Sequence, residues 1–261
     1  MGKDGSITSR DNPLFKRLKN LADSARERRE SRMALLDGVH LIDAYLQAGG
    51  QPATFLRAES CPAEVWSPLA RRCHQSKQAS LPDSLFGELS PVETPIGVLA
   101  EAAWLNPRHG EGTPLVLLLE DIRDPGNLGS LLRTAAAANA TQTVLSKGCA
   151  DAWSPKALRG GQGAQFVLPM EQRVDLPDWI KAHQDVTVMA LKLEDAVPLY
   201  QLDLTGPIGI MVGNEGAGLS QSALAAVRYH ARIPMPGQAE SLNVGVAAAI
   251  ALFEAVRQRM S

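Results

Sequence analysis

The chain has 261 residues, 45% of them apolar and 21% charged, which is enough for one large or two modest domains with a buried core. Its 26 basic and 28 acidic residues leave a net charge of −2, which excludes a uniformly polycationic protein, so any nucleic acid must meet a local basic patch. Three cysteines without Cys-x-x-Cys spacing favour a reducing cytoplasm over a disulfide framework or a zinc site. The sequence contains no apolar run near the ~20 residues of a membrane span and no secretory signal.

A basic helix is predicted over residues 13–36, where leucines recur at helical spacing and Asn12 precedes Pro13 as an N-cap. Residues 10–32 hold eight basic residues against four acidic ones. A nucleic-acid contact and a solvated face laced with ion pairs explain this pattern equally well. The candidates for RNA binding in this segment are Arg10, Lys16, Arg17, Arg26, Arg28 and Arg29.

The pattern changes near residue 106. A helix over 39–48 and short segments up to about 99 indicate a small α/β unit, and residues 106–113 have the composition of a linker. Beyond it, strands are predicted at 115–119, 142–145, 165–168, 186–191, 208–212 and 231–235, and helices at 128–138, 176–183, 219–229 and 241–259. This alternation predicts a mainly parallel sheet covered on both faces. The predicted domains are therefore 1–105 and 114–261, joined by a linker at 106–113.

Three loops follow predicted strands of the second half, and ligands of parallel α/β sheets bind at such strand ends. The first loop runs from Glu120 through Asn127 to Gly129 and leads into a helix that carries Arg133. Helical spacing places Arg133 over the bare backbone of Gly129, where a phosphate, ribose or cofactor can approach. An ordinary cap and a surface arginine explain this loop as well.

The second loop contains Gly213, Asn214, Glu215 and Gly218, and its three glycines in six residues allow backbone N–H groups to face a ligand. It matches neither the P-loop nor the dinucleotide fingerprint, so ATP hydrolysis and ordinary dinucleotide binding lose support. A structural turn in which Glu215 pairs with an arginine is the alternative.

The third loop contains Ile233 and Met235 and opens the last helix through Ser241, Leu242 and Asn243. Ser241 is predicted to cap that helix. Asn243 would then lie in the first turn, where asparagine is better suited to bonding a ligand than to helix formation, although capping alone is the alternative. Five scattered histidines and the lack of G-x-S-x-G disfavour metal sites and serine hydrolases, and no metal is expected.

In this order the loops resemble the three motifs of the SpoU/TrmH family of RNA 2′-O-ribose methyltransferases, in the SPOUT superfamily. The resemblance covers about residues 114–259. The front part is similar to the family's L30e-like RNA-binding extension through its segments at 7–9, 12–13 and 37–38. Lys156 and Arg159 match a P-K-x-x-R stretch of the family, whereas Gly161 replaces a usual serine, Asp37 a usual glutamate and His40 a usual arginine.

The resemblance implies an α/β SPOUT methyltransferase domain with a carboxy-terminal trefoil knot, a homodimer, and S-adenosylmethionine bound in the knot near the dimer interface. It makes Arg133 the main catalytic candidate, with Asn127, Glu215, Ser241 and Asn243 arranging it or the RNA. Because a guanidinium offers no acceptor, Arg133 is expected to orient a phosphate or stabilise a developing alkoxide, and the base stays open. The implied cofactor contacts are Gly213, Asn214, Gly218, Ile233, Met235 and Leu242, and Lys156 and Arg159 join the RNA-binding set.

The leading hypothesis is a cytoplasmic, S-adenosylmethionine-dependent RNA 2′-O-methyltransferase that acts on ribosomal RNA. Transfer RNA is the alternative substrate. A non-catalytic RNA-binding protein that keeps the fold is the second hypothesis. A small-molecule α/β enzyme is disfavoured by the missing P-loop lysine and by the basic front segment.

Overall fold

A computed structural model describes residues 5–108 and 112–260. The described backbone divides into two compact units. The first holds the described residues up to Asn106 together with Asp151–Val167, and the second holds the rest.

The elements of the amino-terminal part are β1 (Gly5–Ser6), α1 (Pro13–Asp23), α2 (Ala25–Ser31), β2 (Met33–Asp37), α3 (Val39–Gln47), β3 (Thr54–Ala58), α4 (Ala63–Arg72), β4 (Lys77–Leu81), α5 (Asp83–Leu89) and β5 (Val98–Ala103). They are followed by β6 (Leu115–Leu119), α6 (Pro125–Ala137), β7 (Gln142–Ser146), α7 (Pro155–Gly161), β8 (Met170–Val174), α8 (Leu176–Ala182), β9 (Thr187–Leu191), β10 (Val197–Pro198), β11 (Ile208–Val212), α9 (Gln221–Ala226), β12 (Tyr229–Arg232) and α10 (Val244–Arg259). Short 3-10 turns occupy Ala164–Phe166 and Leu199–Gln201.

The first unit contains a mixed five-stranded sheet in the order β1-β4-β3-β5-β2, in which β5 runs antiparallel to both of its neighbours. Helix α7 packs on β2, the outer strand. Trp153, just before α7, is buried and stacks on Trp104 with ring centroids 4.9 Å apart. The contacts divide the chain after Asn106, and Asp151–Val167 packs with the first unit.

The single helix predicted over 13–36 is wrong: α1, α2 and β2 share that stretch. Asn12 does cap α1 as predicted, since its side chain accepts a hydrogen bond from the Leu14 N–H, and Pro13 opens the helix. Ser24 then adopts an extended conformation and caps α2 by accepting from the Glu27 N–H. Arg32 ends α2 in the left-handed region at φ 52°. No glycine or proline marks this break, so periodicity alone could not locate it.

The second unit contains a seven-stranded sheet in the order β10-β12-β9-β11-β6-β7-β8, and every adjacent pair is parallel. This confirms the predicted parallel α/β sheet. On one face, Val116 and Leu118 of β6 join a core with Trp179 of α8 and Ala223 of α9. Helix α10 packs against α6 and β11. Among the described residues, no helix is long and apolar enough to cross a membrane.

The strand predicted at 165–168 is wrong, and β8 is the strand of that region. Gln165 is fully buried in a 3-10 turn, where its side-chain amide donates to the carbonyls of Ala152 and Ala157 at 3.1 Å each. The strand predicted at 231–235 lies earlier, as β12, and so the helix predicted over 219–229 is confined to α9. Phe166 and Leu168 of the first run are buried, whereas in the second run Ala231 is buried and Ile233 and Met235 are only partly buried. In neither place did the apolar run specify the backbone conformation.

Arg28 is 4% exposed, so the expectation that it contacts RNA is wrong. Its Nε donates to Asp151 Oδ2 at 2.7 Å, and its Nη1 donates to the carbonyls of Leu21 and Ala22 at 2.5 and 2.9 Å. The guanidinium thereby joins the end of α1 to the segment before α7, inside the first unit. A helical pattern of charge does not reveal which arginine faces a buried carboxylate.

Replacing Arg28 by alanine is expected to lower the free energy of unfolding by about 3 kcal/mol, because the Asp151 carboxylate would stay buried without its partner. Urea denaturation measures the change. Arg29→Ala, one position along the same helix and exposed, is the matched control and should cost less than about 0.5 kcal/mol. Equal and small losses in both variants would contradict the structural role of Arg28.

Candidate active site

A cavity of about 340 Å³ opens at the carboxyl ends of the parallel strands in the second unit. Its walls come from the ends of β9, β11 and β12, the loops that follow them, and the first turn of α10. This is the edge at which open α/β sheets bind ligands, and the volume is that of a small-molecule site. All six predicted cofactor residues line it: Gly213, Asn214, Gly218, Ile233, Met235 and Leu242.

Asn214 shapes the loop that follows β11. Its Nδ2 donates to the carbonyl of Asp121 at 2.9 Å, and its Oδ1 accepts from the N–H groups of Gly216 and Ala217 at 3.0 Å each. The side-chain amide is thus engaged within the protein on both sides. Asn214 borders the cavity, and its side chain acts there by holding two loops together.

Two positions of the same loop require glycine. A Cβ on Gly213 would lie 2.4 Å from the carbonyl oxygen of Gly218, since the loop closes on itself through a bridge between Asn214 and Gly218. Gly218 has φ +70°, a conformation that side chains rarely adopt. The loop therefore brings bare backbone to the cavity wall, as the sequence predicted.

The first two motif loops are joined by side chains at two further points. Glu120 accepts hydrogen bonds from the N–H and the hydroxyl of Ser220 at 2.7 and 2.6 Å. Asn127 donates from Nδ2 to Glu215 Oε1 at 2.8 Å. The partner of Glu215 is thus an asparagine of the first motif rather than the arginine considered from the sequence. The two motifs meet as one site.

Arg133 is exposed on α6, and it makes no hydrogen bond or ion pair with another described residue. Neither Arg133 nor Asn127 is among the described residues that line the cavity. Gly129 is buried, so the expectation that its backbone lies open to a ligand is wrong. The guanidinium is nevertheless available to an outside partner, since it is not engaged within the chain.

Asn243 is the N-cap of α10, with Oδ1 accepting from the N–H groups of Gly245 and Val246 at 2.9 and 3.4 Å. The prediction that Ser241 caps this helix is therefore wrong, because the helix begins at Val244. Both Ser241 and Asn243 line the cavity. The cap thus holds the last motif against the cavity wall.

Four of the six predicted RNA-binding residues in segment 10–32 are exposed and form ion pairs. The pairs are Arg10 with Glu88, Lys16 with Asp11, Arg17 with Glu101, and Arg26 with Glu30. Arg29 is exposed and pairs with no described acidic residue. The ion-pair alternative considered from the sequence therefore describes much of this face.

Lys156 and Arg159 are exposed on α7 of the same unit. Arg159 lies close enough to Asp37 to act on it: burial raises the pKa of Asp37, while the Ser90 hydroxyl bonded to it and the Arg159 guanidinium lower it. A Cβ on Gly161 would lie 2.4 Å from Gln165 Oε1, so the Gln165 side chain occupies the space next to Gly161 where the family has a serine.

Four further residues that were not predicted site residues join loops at this edge: Glu120, Asp121, Ser146 and Ser220. Their positions in the sequence could have indicated this role, since each lies within two residues of a strand end or a helix start. No group of three or more His, Cys, Asp and Glu side chains suited to a metal ion occurs in the part of the chain that the structure describes.

Comparison with known proteins gives matches to both parts of the chain. The model of the SpoU rRNA Methylase family matches residues 114–253, and that of the MRM3-like substrate binding domain matches residues 12–100. The 23S rRNA (guanosine(2553)-2′-O)-methyltransferase RlmP of Bacillus subtilis is 32% identical, over 95% of this chain and 97% of its own.

Two further proteins are similar over nearly their whole length. A tRNA/rRNA methyltransferase of Synechocystis, described as uncharacterized, is 33% identical over 97% of this chain and 94% of its own. The crystal structure of an AdoMet-bound rRNA methyltransferase from Sinorhizobium meliloti superposes with a TM-score of 0.85 at 28% identity, and all of both chains is covered.

Gly213→Ala is expected to weaken S-adenosylmethionine binding at least about tenfold, because the new Cβ would collide with backbone rather than with a movable side chain. Isothermal titration measures the affinity. Gly216→Ala is the matched control in the same loop, since its Cβ would have only Asn214 Oδ1 nearby, at 3.6 Å. If both variants bound the cofactor as the wild type does, the loop would not form the cofactor site.

Proposed function

We propose that the chain, which belongs to the SpoU rRNA methylase family, is an RNA methyltransferase. It transfers a methyl group from S-adenosylmethionine to a ribose 2′-hydroxyl of ribosomal RNA. One observation carries the proposal: the six residues assigned to the cofactor by motif all line one cavity at the carboxyl edge of the sheet. The similarity to a 23S rRNA 2′-O-methyltransferase over nearly the whole chain supports the substrate class.

The cavity fits the cofactor chemically. Ile233, Met235 and Leu242 offer apolar surface for the adenosine, and the loop around Gly213 and Gly218 offers backbone groups with no side chain between them and the ligand. When bound, S-adenosylmethionine supplies an electrophilic sulfonium methyl group.

The chain's own residues orient the acceptor. Asn127 holds the Glu215 carboxylate at the rim of the cavity, where Glu215 is one of the lining residues. Arg133 keeps its guanidinium exposed, so it can bind a phosphate of the RNA or stabilise the negative charge that develops on the ribose oxygen. Ser241 and the Asn243 cap border the other side of the same cavity. Alignment of the two reactants is then the main contribution of the protein.

We also propose the finer architecture that the resemblance implies: a SPOUT domain over 114–261 with a trefoil knot, and an L30e-like RNA-binding domain over 1–105. The two family models match within those two ranges. The cytoplasm, where ribosomal RNA is found in bacteria, is the proposed location.

A homodimer is proposed through α10. Val246, Phe253 and Met260 recur every seven residues, so they share one face of the helix, and they are 47%, 47% and 83% exposed. A stripe of large apolar side chains in water indicates a protein partner, and a second copy of the same helix is the partner that the resemblance implies.

Arg133→Ala is expected to reduce methyl transfer about 100-fold or more at unchanged cofactor affinity, because the guanidinium acts on RNA or on the developing charge. Tritiated S-adenosylmethionine incubated with 23S rRNA, and separately with transfer RNA, measures the transfer. Arg228→Ala, an exposed arginine that precedes β12, is the control and should transfer normally.

Normal transfer by Arg133→Ala would remove this residue from the proposed machinery. Methylation of transfer RNA but not of 23S rRNA would show that the substrate is transfer RNA. A folded wild type that binds RNA yet transfers no label to either RNA would favour the non-catalytic alternative.

A further inference from the structure

Asp121 adopts a left-handed backbone conformation and is held there by three hydrogen bonds. Its φ is +53°, in the left-handed region that favours glycine. Its N–H donates to Ser146 Oγ at 2.9 Å, and the Ser146 hydroxyl donates in turn to Asp121 Oδ1 at 2.8 Å. Its carbonyl accepts from Asn214 Nδ2 at 2.9 Å. A backbone constrained in this way is typical of functional sites.

One cation lies beside the Asp121 carboxylate, and a second follows the residue that bonds it. Arg123 is exposed, with a side chain 75% accessible, and its Nη2 lies 3.7 Å from Asp121 Oδ2, which is longer than a hydrogen bond. Lys147 is also exposed and pairs with no acidic side chain among the described residues. It lies between Ser146, which bonds Asp121, and Gly148, whose Cβ would come within 2.1 Å of Asp121 Oδ1.

These groups lie at the edge of the sheet that carries the cavity. Arg123 follows β6 and Lys147 follows β7, which are adjacent and parallel, with Leu119 paired to Leu145 near their carboxyl ends. The same loop continues from Arg123 to Asn127, which bonds Glu215 at the rim of the cavity. The nearby Glu120 carboxylate is bonded to Ser220, and Asp124 caps α6 by accepting from the Asn127 N–H.

We propose that Arg123, held beside Asp121, and Lys147 form a binding site for backbone phosphates of the substrate RNA next to the target ribose. This rests on the proposed function. The guanidinium suits two-pronged contact with phosphate oxygens, and the ammonium acts as a point charge. The contact of Arg123 with Asp121 is loose enough for the guanidinium to reach an outside anion.

The test is the binding of in vitro transcribed 23S rRNA to the full chain at several salt concentrations, without turnover. The variant Arg123→Gln/Lys147→Gln should bind about tenfold more weakly, and the slope of log K against log salt should fall by about 2, one for each lost phosphate contact. The affinity for S-adenosylmethionine should not change, because neither residue lines the cavity.

Lys181→Gln/Arg228→Gln is the matched control, with the same two charges removed. Lys181 lies in the last turn of α8, before β9, and Arg228 precedes β12, so both belong to the amino-terminal edge of the sheet. This pair should leave the salt slope unchanged. Equal slopes for the two double variants would overturn the phosphate site.

Asp121→Gly tests the alignment separately. Glycine accepts φ +53° without strain and keeps the backbone bonds to Ser146 and Asn214, so only the carboxylate is lost. We expect the KM for RNA to rise about threefold or more with an unchanged affinity for S-adenosylmethionine. An unchanged KM would show that the cations do not need the carboxylate.

The binding measurement separates this inference from the function on which it rests. If the wild type methylates RNA and the double glutamine variant keeps the wild-type slope, the phosphate site falls and the function stands. If the wild type binds RNA with the expected slope difference but transfers no methyl group, the function falls and the site stands. If the wild type binds no RNA, both fall.

Discussion

The site depends on one side chain, the Asn214 amide, which holds two loops that are almost a hundred residues apart in sequence. Strands β6 and β11 are neighbours, with Leu119 paired to Val212, so the loops that follow them leave the sheet at the same edge. Asn214 donates to the backbone of the first loop and accepts from the backbone of the second. Separating the two loops would leave the Asn214 amide without its hydrogen-bond partners, which costs free energy. The amide therefore keeps the two loops together. The contacts of Glu120 with Ser220 and of Asn127 with Glu215 extend the same junction outward.

The junction also explains why glycine and acidic residues gather at this edge. The loop after β11 folds back so tightly that Gly213 has no room for a side chain, and bare backbone faces the cavity as a result. Glu120 and Glu215 both accept hydrogen bonds from donors of the opposite loop, so these carboxylates hold the two loops together. Positive charge is then left to the residues outside the junction, Arg123, Arg133 and Lys147, all of them exposed.

Motif spacing predicted more of the site than charge pattern did. The residues assigned to the cofactor by motif all line one cavity, because glycines and strand ends carry direct backbone constraints. The charge of residues 10–32 was less informative, since most of those cations pair with acidic neighbours and Arg28 is buried against Asp151. Asp151 lies more than a hundred residues away in the chain, and helical spacing contains no information about such a partner. The same limit applies to α7, whose packing on β2 depends on the stacking of Trp153 on Trp104.

The N-caps of the helices were also predicted unevenly from the sequence. Asn12 was predicted as a cap because proline follows it, whereas Asn243 was placed inside a helix that Ser241 would cap, and either residue type caps well. Only the packed structure decides that Asn243 holds the first turn of α10. Local sequence therefore offered two cap residues at the third motif without deciding which of them caps the helix.

The most direct test of the central claim is isothermal titration of S-adenosylmethionine into the wild type and Asn214→Asp. The substitution keeps an acceptor for Gly216 and Ala217 but replaces the donor facing the Asp121 carbonyl with a second oxygen, so the two loops would separate. We expect about one cofactor per wild-type chain, and binding at least about tenfold weaker in the variant, with the fold retained. Equal affinity in the two proteins, or no binding to the folded wild type, would contradict it.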